Sequence, residues 1–219
     1  MDALTLLQKI AINAIPVLFA ITVHEAAHGY VAMLLGDKTA YRLGRVTLNP
    51  VPHIDMIGTL LVPALAMLLG GFLFGWAKPV PIDPSKMRYP RKSFMWVALA
   101  GPASNMAMAV LWALVALAGR QGLGGEMISP GMLAMGMAGI QINMALMIFN
   151  LLPIPPLDGS RVVARFLKGK ALAAWSRFEQ YGLFVVMGIM LLLPGVITLW
   201  FAPWLSVFSW IPAIAGLGG

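Results

Sequence analysis

The sequence predicts an all-α polytopic membrane protein. Of its 219 residues, 60% are hydrophobic and only 11% are charged, whereas soluble domains carry about 25% charged residues. A soluble fold of this length could not bury so much apolar surface. The apolar residues are also gathered into long runs, and glycine and proline occur 23 and 16 times, which suits packed membrane helices that contain breaks.

Six apolar runs predict about four to six membrane segments, since a crossing helix needs roughly 20 residues. The runs are residues 4–35, 57–76, 94–118, 132–152, 181 to about 201, and 200–214. The last run is short, and its Trp200, Trp204 and Trp210 are typical of anchors at a membrane surface; the alternative is one more crossing. We expect a single membrane domain over residues 1–219, with a core at about 4–170 and a C-terminal helix and interfacial segment at 171–219.

A small membrane-associated β element is also predicted. The segment AYRLGRVTLNP, residues 40–50, has the alternation and the bounding Gly and Pro of a short strand. The segment WAKPVPID, residues 76–83, is expected to be extended because proline disfavours helix in the residue before it. A strand beside a membrane site could hold an extended peptide by edge pairing. The alternative is that both segments are ordinary connecting loops.

Three ionisable residues, His24, Glu25 and His28, lie inside the first apolar run. Such residues are costly in hydrocarbon, so they mark a functional site. Residues four apart share one face of a helix, so the two imidazoles can bind one metal ion with Glu25 beside them. The chain has no cysteine, so the other ligands must be histidine or carboxylate. The alternative, two hydrogen-bonded buried histidines, requires polar partners that hydrocarbon rarely supplies.

A second group of candidate residues lies in NLLPIPPLDGSR, residues 150–161. Its Asp158 is one of only eight acidic residues in the chain. The prolines before it unwind the end of the preceding helix, so the carboxylate can be presented sideways to a site. Together with His24 and His28 it would form a three-ligand site with one open position, which is the arrangement of catalytic zinc.

With these motifs the chain resembles the site-2 protease family of intramembrane zinc metalloproteases, peptidase family M50. The family signature is H-E-x-x-H on one membrane helix and N-x-x-P-x-P-x-x-D-G on a later one. Here these elements are HEAAH at residues 24–28 and NLLPIPPLDG at residues 150–159. A third family-like element is GPASN at residues 101–105, and the resemblance covers about residues 15–170.

The resemblance implies that His24, His28 and Asp158 bind one Zn²⁺ ion and that Glu25 is the general base for an attacking water. The implied reaction is hydrolysis of peptide bonds in membrane-anchored proteins. The expected partners are therefore a transmembrane protein substrate and the lipid bilayer.

Three further residues are candidates to contact the substrate. Asn150 and Asn105 are candidates to hydrogen-bond the substrate backbone or the oxyanion, and the alternative for both is a hydrogen bond between helices. His53, in NPVPHIDMIG, is a candidate for substrate contact or proton transfer, with a local hydrogen bond in its loop as the alternative.

The topology follows from the need for the two motifs to meet. The first run and the run at residues 132–152 must point the same way, so an odd number of crossings must separate them. We therefore expect residues 57–76, which Gly and Pro interrupt, to form a re-entrant segment. All 15 Lys and Arg residues except Lys9 and Arg120 then share one face. This face is predicted to be cytoplasmic, with the N-terminus outside and the active site opening toward the cytoplasm of a prokaryotic cell.

Other functions are less consistent with the sequence. The net charge of +7 does not require nucleic acid, because the membrane topology accounts for it. A transporter or channel with His24, Glu25 and His28 as an ion or proton path is the main alternative, but no inverted repeat is visible. A non-catalytic metal-binding or scaffolding membrane protein would have no use for Glu25.

Overall fold

The computed structural model describes residues 6–61 and 77–216, and helices form all the regular structure in these two stretches. The α-helices, in chain order, are α1 (Leu6–Leu34), α2 (Thr39–Arg42), α3 (Pro90–Arg120), α4 (Gly125–Asn150), α5 (Asp158–Phe166), α6 (Gly169–Phe178), α7 (Gly182–Leu192), α8 (Pro194–Val207) and α9 (Trp210–Ile214). Short 3-10 helices lie at Val51–His53, Pro84–Lys86 and Glu179–Tyr181, and a π-helical turn lies at Met56–Leu61.

The centre of the molecule is a bundle of α1, α3 and α4. Each of these helices contains a stretch long and apolar enough to cross a bilayer, with 25, 31 and 26 residues respectively. Two hydrogen bonds show that α3 runs antiparallel to α1. Arg88, just before α3, donates its N–H to the carbonyl of Leu35, just after α1. Farther along α3, the Asn105 side chain donates to the carbonyl of Ala20, which lies earlier in α1. Helix α3 is also antiparallel to α4, to which a short turn joins it. Helices α1 and α4 are therefore parallel, as the meeting of the two motifs requires.

Small residues bring α3 and α4 into close contact. Ala109, Ala113 and Ala116 of α3 are fully buried. A Cβ added at Gly136 of α4 would lie 2.5 Å from the backbone nitrogen of Ala116. Lipid is as apolar as the side chains, so membrane helices associate through close van der Waals contact of this kind.

The long connection between α1 and α3 begins and ends at the same end of the bundle. Asp37, which is fully buried, joins its two ends by accepting the N–H groups of Thr39 at 2.9 Å and Asp83 at 2.6 Å. Burial alone would raise the pKa of the Asp37 carboxyl, but the hydrogen bonds from Thr39 and Asp83 outweigh it and hold the pKa below its usual value. The ionised Asp37 carboxylate thus links the start and the end of this connection.

The re-entrant segment predicted at residues 57–76 falls within this connection. Only residues 57–61 of it are described, and they belong to the π-helical turn. Residues 62–76 lie outside the described part of the chain.

The predicted β element is wrong, because residues 6–61 and 77–216 contain no strand. Residues 40–50 form the end of α2 and then a series of turns. The Thr47 hydroxyl accepts the N–H of Asn49, and the Asn49 side chain accepts the N–H of Val51. Local bonds of this kind compete with a strand for the backbone donors. Residues 77–83 pair with no strand either, since the N–H of Val80 is donated to a side chain, the carboxylate of Glu25.

The C-terminal region packs on the bundle in pieces. The run at residues 181–201, predicted to be one crossing, is divided between α7 and α8, and the helical stretch that ends at Leu192 meets α8 at 93°. The division lies at Pro194, which lacks an N–H and begins a new helix. The structure thus contains three candidate spans in its described residues, or four if the bent pair is one broken span, against the four to six predicted. Farther on, Ile211 of α9 is fully buried against α3.

The contact at Gly136 gives a stability prediction. A Gly136→Ala substitution should destabilise the protein by about 1–3 kcal/mol, the usual cost of overpacking, because the new methyl group meets the α3 backbone. Thermal unfolding in lipid nanodiscs measures the effect. Gly131→Ala, on the same helix, is the matched control, because a Cβ there meets nothing within 4 Å. Equal unfolding temperatures for the two variants would contradict the prediction.

Candidate active site

The structure brings His24, His28 and Asp158 together in one cluster, called here the ligand triangle. The two histidines lie one turn apart on α1 and are buried, and Asp158 is the first residue of α5. The Nε2 atoms of the histidines are 3.0 Å apart. Asp158 Oδ2 lies 3.2 Å from His24 Nε2 and 3.4 Å from His28 Nε2.

These distances fit a tetrahedral metal site. Zinc binds nitrogen and oxygen at about 2.0–2.1 Å, which in a tetrahedron puts neighbouring ligand atoms about 3.3 Å apart. Asp158 Oδ2 is buried and accepts no hydrogen bond, so a buried carboxylate oxygen is directed at the two nitrogens without a partner of its own. Two imidazoles and one carboxylate are a donor set of catalytic zinc. The residues of the ligand triangle therefore fit a zinc ion.

Helix α3 forms hydrogen bonds with both imidazoles on the side away from the Nε2 atoms. The Nδ1 of His24 lies 2.6 Å from Asn105 Oδ1, and the Nδ1 of His28 lies 2.7 Å from the carbonyl oxygen of Val97. Both partners are acceptors, so each ring carries its proton on Nδ1 and leaves Nε2 as the ligand atom. Hydrogen bonds of this kind orient histidine ligands in metal sites.

Gly101 allows α3 to approach the rings so closely. A Cβ at this position would lie 2.5 Å from His24 Cε1 and 2.6 Å from His28 Cε1. The sequence singled out GPASN as a unit but gave no role to this glycine. The requirement for a glycine becomes visible only when the two helices are placed together.

Asp158 is delivered to the triangle by a compact turn after α4. The residue before it, Leu157, is extended, and the next residue, Gly159, packs against the chain where it leaves α4. A Cβ on Gly159 would lie 2.1 Å from the carbonyl oxygen of Leu151. The proline-rich segment therefore ends the long helix and returns the carboxylate to α1, as its sequence predicts.

Glu25 lies beside the triangle and is half-buried. One of its carboxylate oxygens lies within 4.8 Å of ligand nitrogens on both His24 and His28. Its Oε2 accepts the N–H of Val80 at 2.8 Å, so the irregular segment at residues 77–83 holds this side chain in place. A carboxylate at this position is close enough to exchange a proton with a water placed between it and the triangle.

Two cavities meet at these residues. They have volumes of about 350 and 280 Å³ and share His24, Glu25, Pro79, Asn150 and Pro156. The rest of the larger cavity is apolar; its lining is Ile21, Ala77, Leu146, Phe149, Leu157, Leu183 and Val186. The smaller cavity also includes the charged side chains of Asp158 and Arg161.

The other predicted residues have different surroundings. Asn150 lines both cavities and donates one N–H to the carbonyl of Leu146 at 2.9 Å. Asn105 is fully buried and lines neither cavity, and its side-chain oxygen faces His24. His53 is also buried and lines neither cavity, and its Nε2 lies 3.2 Å from the carbonyl oxygen of Thr47.

Two residues near the site were not found from the sequence. Asn143 of α4 is fully buried and accepts a hydrogen bond from Asn105 at 3.0 Å. Arg161, one turn after Asp158, forms an ion pair with Glu179 and so joins α5 to the 3-10 helix that precedes α7. An asparagine within an apolar run was the available signal for the first, and an arginine beside the acidic ligand was the signal for the second.

Comparisons with known proteins identify relatives of this chain. The family model described as Peptidase family M50 matches residues 117–193. "Putative zinc metalloprotease YwhC" of Bacillus subtilis is 38% identical over 191 residues, which cover 85% of this chain and 83% of that protein. "Putative zinc metalloprotease Rip2" of Mycolicibacterium smegmatis is 29% identical over 209 residues, which cover 91% and 76% of the two chains. No solved structure matches the chain.

The close approach at Gly101 gives a prediction for metal binding. In a Gly101→Ala variant the methyl group would overlap both imidazoles, so we expect zinc affinity to fall by about 10–100-fold, as for other disturbed ligand supports. Competition with a zinc chelator measures this change. Gly188→Ala on α7 is the control, since a Cβ there lies in open space. A Gly101→Ala variant with unchanged affinity would show that the rings do not depend on this contact.

Proposed function

The chain belongs to peptidase family M50 and is a zinc metalloprotease, and from this premise we propose that it hydrolyses membrane-anchored proteins within the bilayer. The observation that carries the proposal is the position of the ligand triangle. His24 and His28 lie inside the membrane-crossing stretch Ile10–Leu34, about 9–15 Å of helical rise from its C-terminal end. Because the hydrocarbon core is about 30 Å thick, a bond cleaved at this site would lie within the membrane.

Glu25 is the proposed general base. Zinc, when bound by His24, His28 and Asp158, supplies Lewis-acid chemistry, which makes water more acidic and polarises a carbonyl group. Glu25 takes a proton from the attacking water and then transfers it to the leaving amide nitrogen. The N–H of Val80 keeps the Glu25 carboxylate directed at the site.

The two asparagines have separate proposed roles. Asn150 borders both cavities beside Glu25, and its amide carries two N–H hydrogens, of which one is donated to Leu146. The second hydrogen is suited to a substrate carbonyl or the oxyanion. Asn105 is buried behind His24, which supports a role in orienting the ligand. For His53, its burial and its bond to Thr47 support a structural role in its loop.

The substrate is proposed to be an apolar transmembrane segment in an extended conformation. The peptide bonds of a helix are protected by internal hydrogen bonds, so the segment must unwind before water can attack. The apolar cavity beside Glu25, of about 350 Å³, is large enough for an aliphatic or aromatic side chain next to the cleaved bond.

The site is proposed to open toward the cytoplasm of a prokaryotic cell. In the described residues, the end of the bundle where α1 stops and α3 begins carries nearly all the basic side chains, including Lys38, Lys86 and Lys170, while Arg120 lies at the other end. Basic loops remain on the cytoplasmic side of a membrane. The relatives compared above are also prokaryotic.

A Glu25→Gln substitution tests the proposed reaction. We expect the variant to retain zinc but to cleave a transmembrane reporter substrate at least 10²-fold more slowly, because the amide cannot accept a proton. Metal content by mass spectrometry and product formation on gels give the two measurements.

The matched control for this variant is Glu126→Gln, at an exposed position in the first turn of α4, far from the site, which should cleave like the wild type. Removal of zinc from the wild type with a chelator should stop cleavage, and added zinc should restore it. Cleavage by Glu25→Gln at the wild-type rate would exclude Glu25 as the base.

Labelling of single cysteines tests the orientation, and the absence of native cysteine makes this direct. We expect Lys38→Cys and Lys86→Cys to react only from the cytoplasmic side, and Gln121→Cys, in the turn between α3 and α4, only from the outside. The readout is reaction with a membrane-impermeant maleimide in intact cells and in inverted vesicles. Opposite accessibility of Lys38→Cys and Lys86→Cys would refute the topology.

A further inference from the structure

We propose that Asn143 is a positioning residue of the metal centre, which acts through Asn105 to fix the tautomer of the His24 imidazole. The inference rests on the zinc site proposed above and assigns to Asn143 a role in assembling it. Asn143 lies on α4, whereas the histidine that it would control lies on α1. The helix between them, α3, carries the connecting residue.

The three side chains form one continuous hydrogen-bonded chain. Asn143 Nδ2 donates to the carbonyl of Gly139 at 2.9 Å, and Asn143 Oδ1 accepts from Asn105 Nδ2 at 3.0 Å. Asn105 Oδ1 lies 2.6 Å from His24 Nδ1. Both asparagines are fully buried and His24 is 8% exposed, so water does not compete for these bonds.

The carbonyl of Gly139 determines which group donates and which accepts in each of these hydrogen bonds. The carbonyl of Gly139 can only accept, so the Asn143 side chain must turn its NH₂ group toward it and its oxygen toward Asn105. Asn105 must then present its own NH₂ group to Asn143, which turns its oxygen toward His24. An oxygen at that position requires a proton on Nδ1 of His24. Nε2 is left with a lone pair directed into the ligand triangle.

Asn105 alone would fix this direction less firmly. Its other acceptor is the carbonyl of Ala20 at 3.3 Å, which is longer than the bond to Asn143. If the Asn105 amide turned over, its NH₂ group would face His24 Nδ1. The imidazole would then carry its proton on Nε2, and that nitrogen could not bind a metal ion.

His28 provides a natural comparison. Its Nδ1 lies 2.7 Å from the backbone carbonyl of Val97, an acceptor that cannot turn over. The tautomer of His28 is therefore independent of Asn143, although the two imidazoles lie side by side. A change at Asn143 should affect one ligand and leave the other unchanged.

The test uses the full chain in lipid nanodiscs with two substitutions of Asn143. Asn143→Leu removes the acceptor, and we expect zinc affinity to fall by about 10–100-fold. Asn143→Asp should restore affinity to near the wild-type value. A carboxyl group in this apolar interior stays protonated, so it can donate to Gly139 and accept from Asn105 like the native amide. Gln141→Leu, at an exposed position of the same helix, is the control and should bind zinc normally.

The tautomers are read directly from ¹⁵N NMR spectra of the metal-free protein, which has only three histidines. We expect Asn143→Leu to convert His24 from the single Nδ1–H form to a mixture of tautomers, with His28 unchanged. Unchanged zinc affinity and an unchanged His24 spectrum in this variant would overturn the proposal. Loss of the His28 signature as well would also overturn it, since Asn143 would then support the packing of the helices in general. Failure of the wild type to bind zinc would refute the proposed function instead, because the tautomers are measured without metal.

Discussion

The contact between α3 and the two imidazoles of α1 is the constraint on which the site depends. Gly101 leaves the space for the rings, while Val97 and Asn105 accept their Nδ1 protons. A histidine pair on an isolated membrane helix would have neither a fixed orientation nor a fixed tautomer. Small residues of α3 therefore serve two contacts. Gly101 leaves space for the rings of α1, and Ala116 allows the close packing of α4.

The position of Asp158 likewise depends on close contacts of glycines, here after the end of α4 and at the start of α7. Glycine at 159 allows the turn after α4 to fold tightly, and a Cβ at Gly182 would lie 2.0 Å from the carbonyl oxygen of Pro155. The proline-rich segment is thus enclosed between α4 and α7, and Asp158 reaches the histidines from this enclosed turn. Arg161 adds an ion pair to Glu179 and lies over the ring of Phe94 at 5.1 Å, so α5 contacts both α3 and the 3-10 helix that precedes α7.

The long apolar runs predicted the helical bundle, and the two motifs predicted that His24, His28 and Asp158 would lie close together, as they do. The sequence did not predict the structure correctly where one segment was compatible with two local conformations. Residues 40–50 alternate like a strand, but Thr47 and Asn49 bond their own backbone. Pro194 in an apolar run is compatible with a continuous kinked helix or with the first turn of a new helix, and in the structure a separate helix begins there. The proposed role of Asn143 depends on its contact with Asn105 of α3. That contact is set by how α3 and α4 pack, which the sequence of neither helix predicts alone.

The two cavities share Glu25 but extend toward different parts of the bundle. The larger cavity extends toward Ile21 and Leu146, which precede the catalytic motifs on α1 and α4 and therefore lie deeper in the bundle. The smaller one extends toward Arg161, at the basic end. The apolar lining of the larger cavity and the charged groups of the smaller one thus meet at His24 and Glu25, which belong to both cavities.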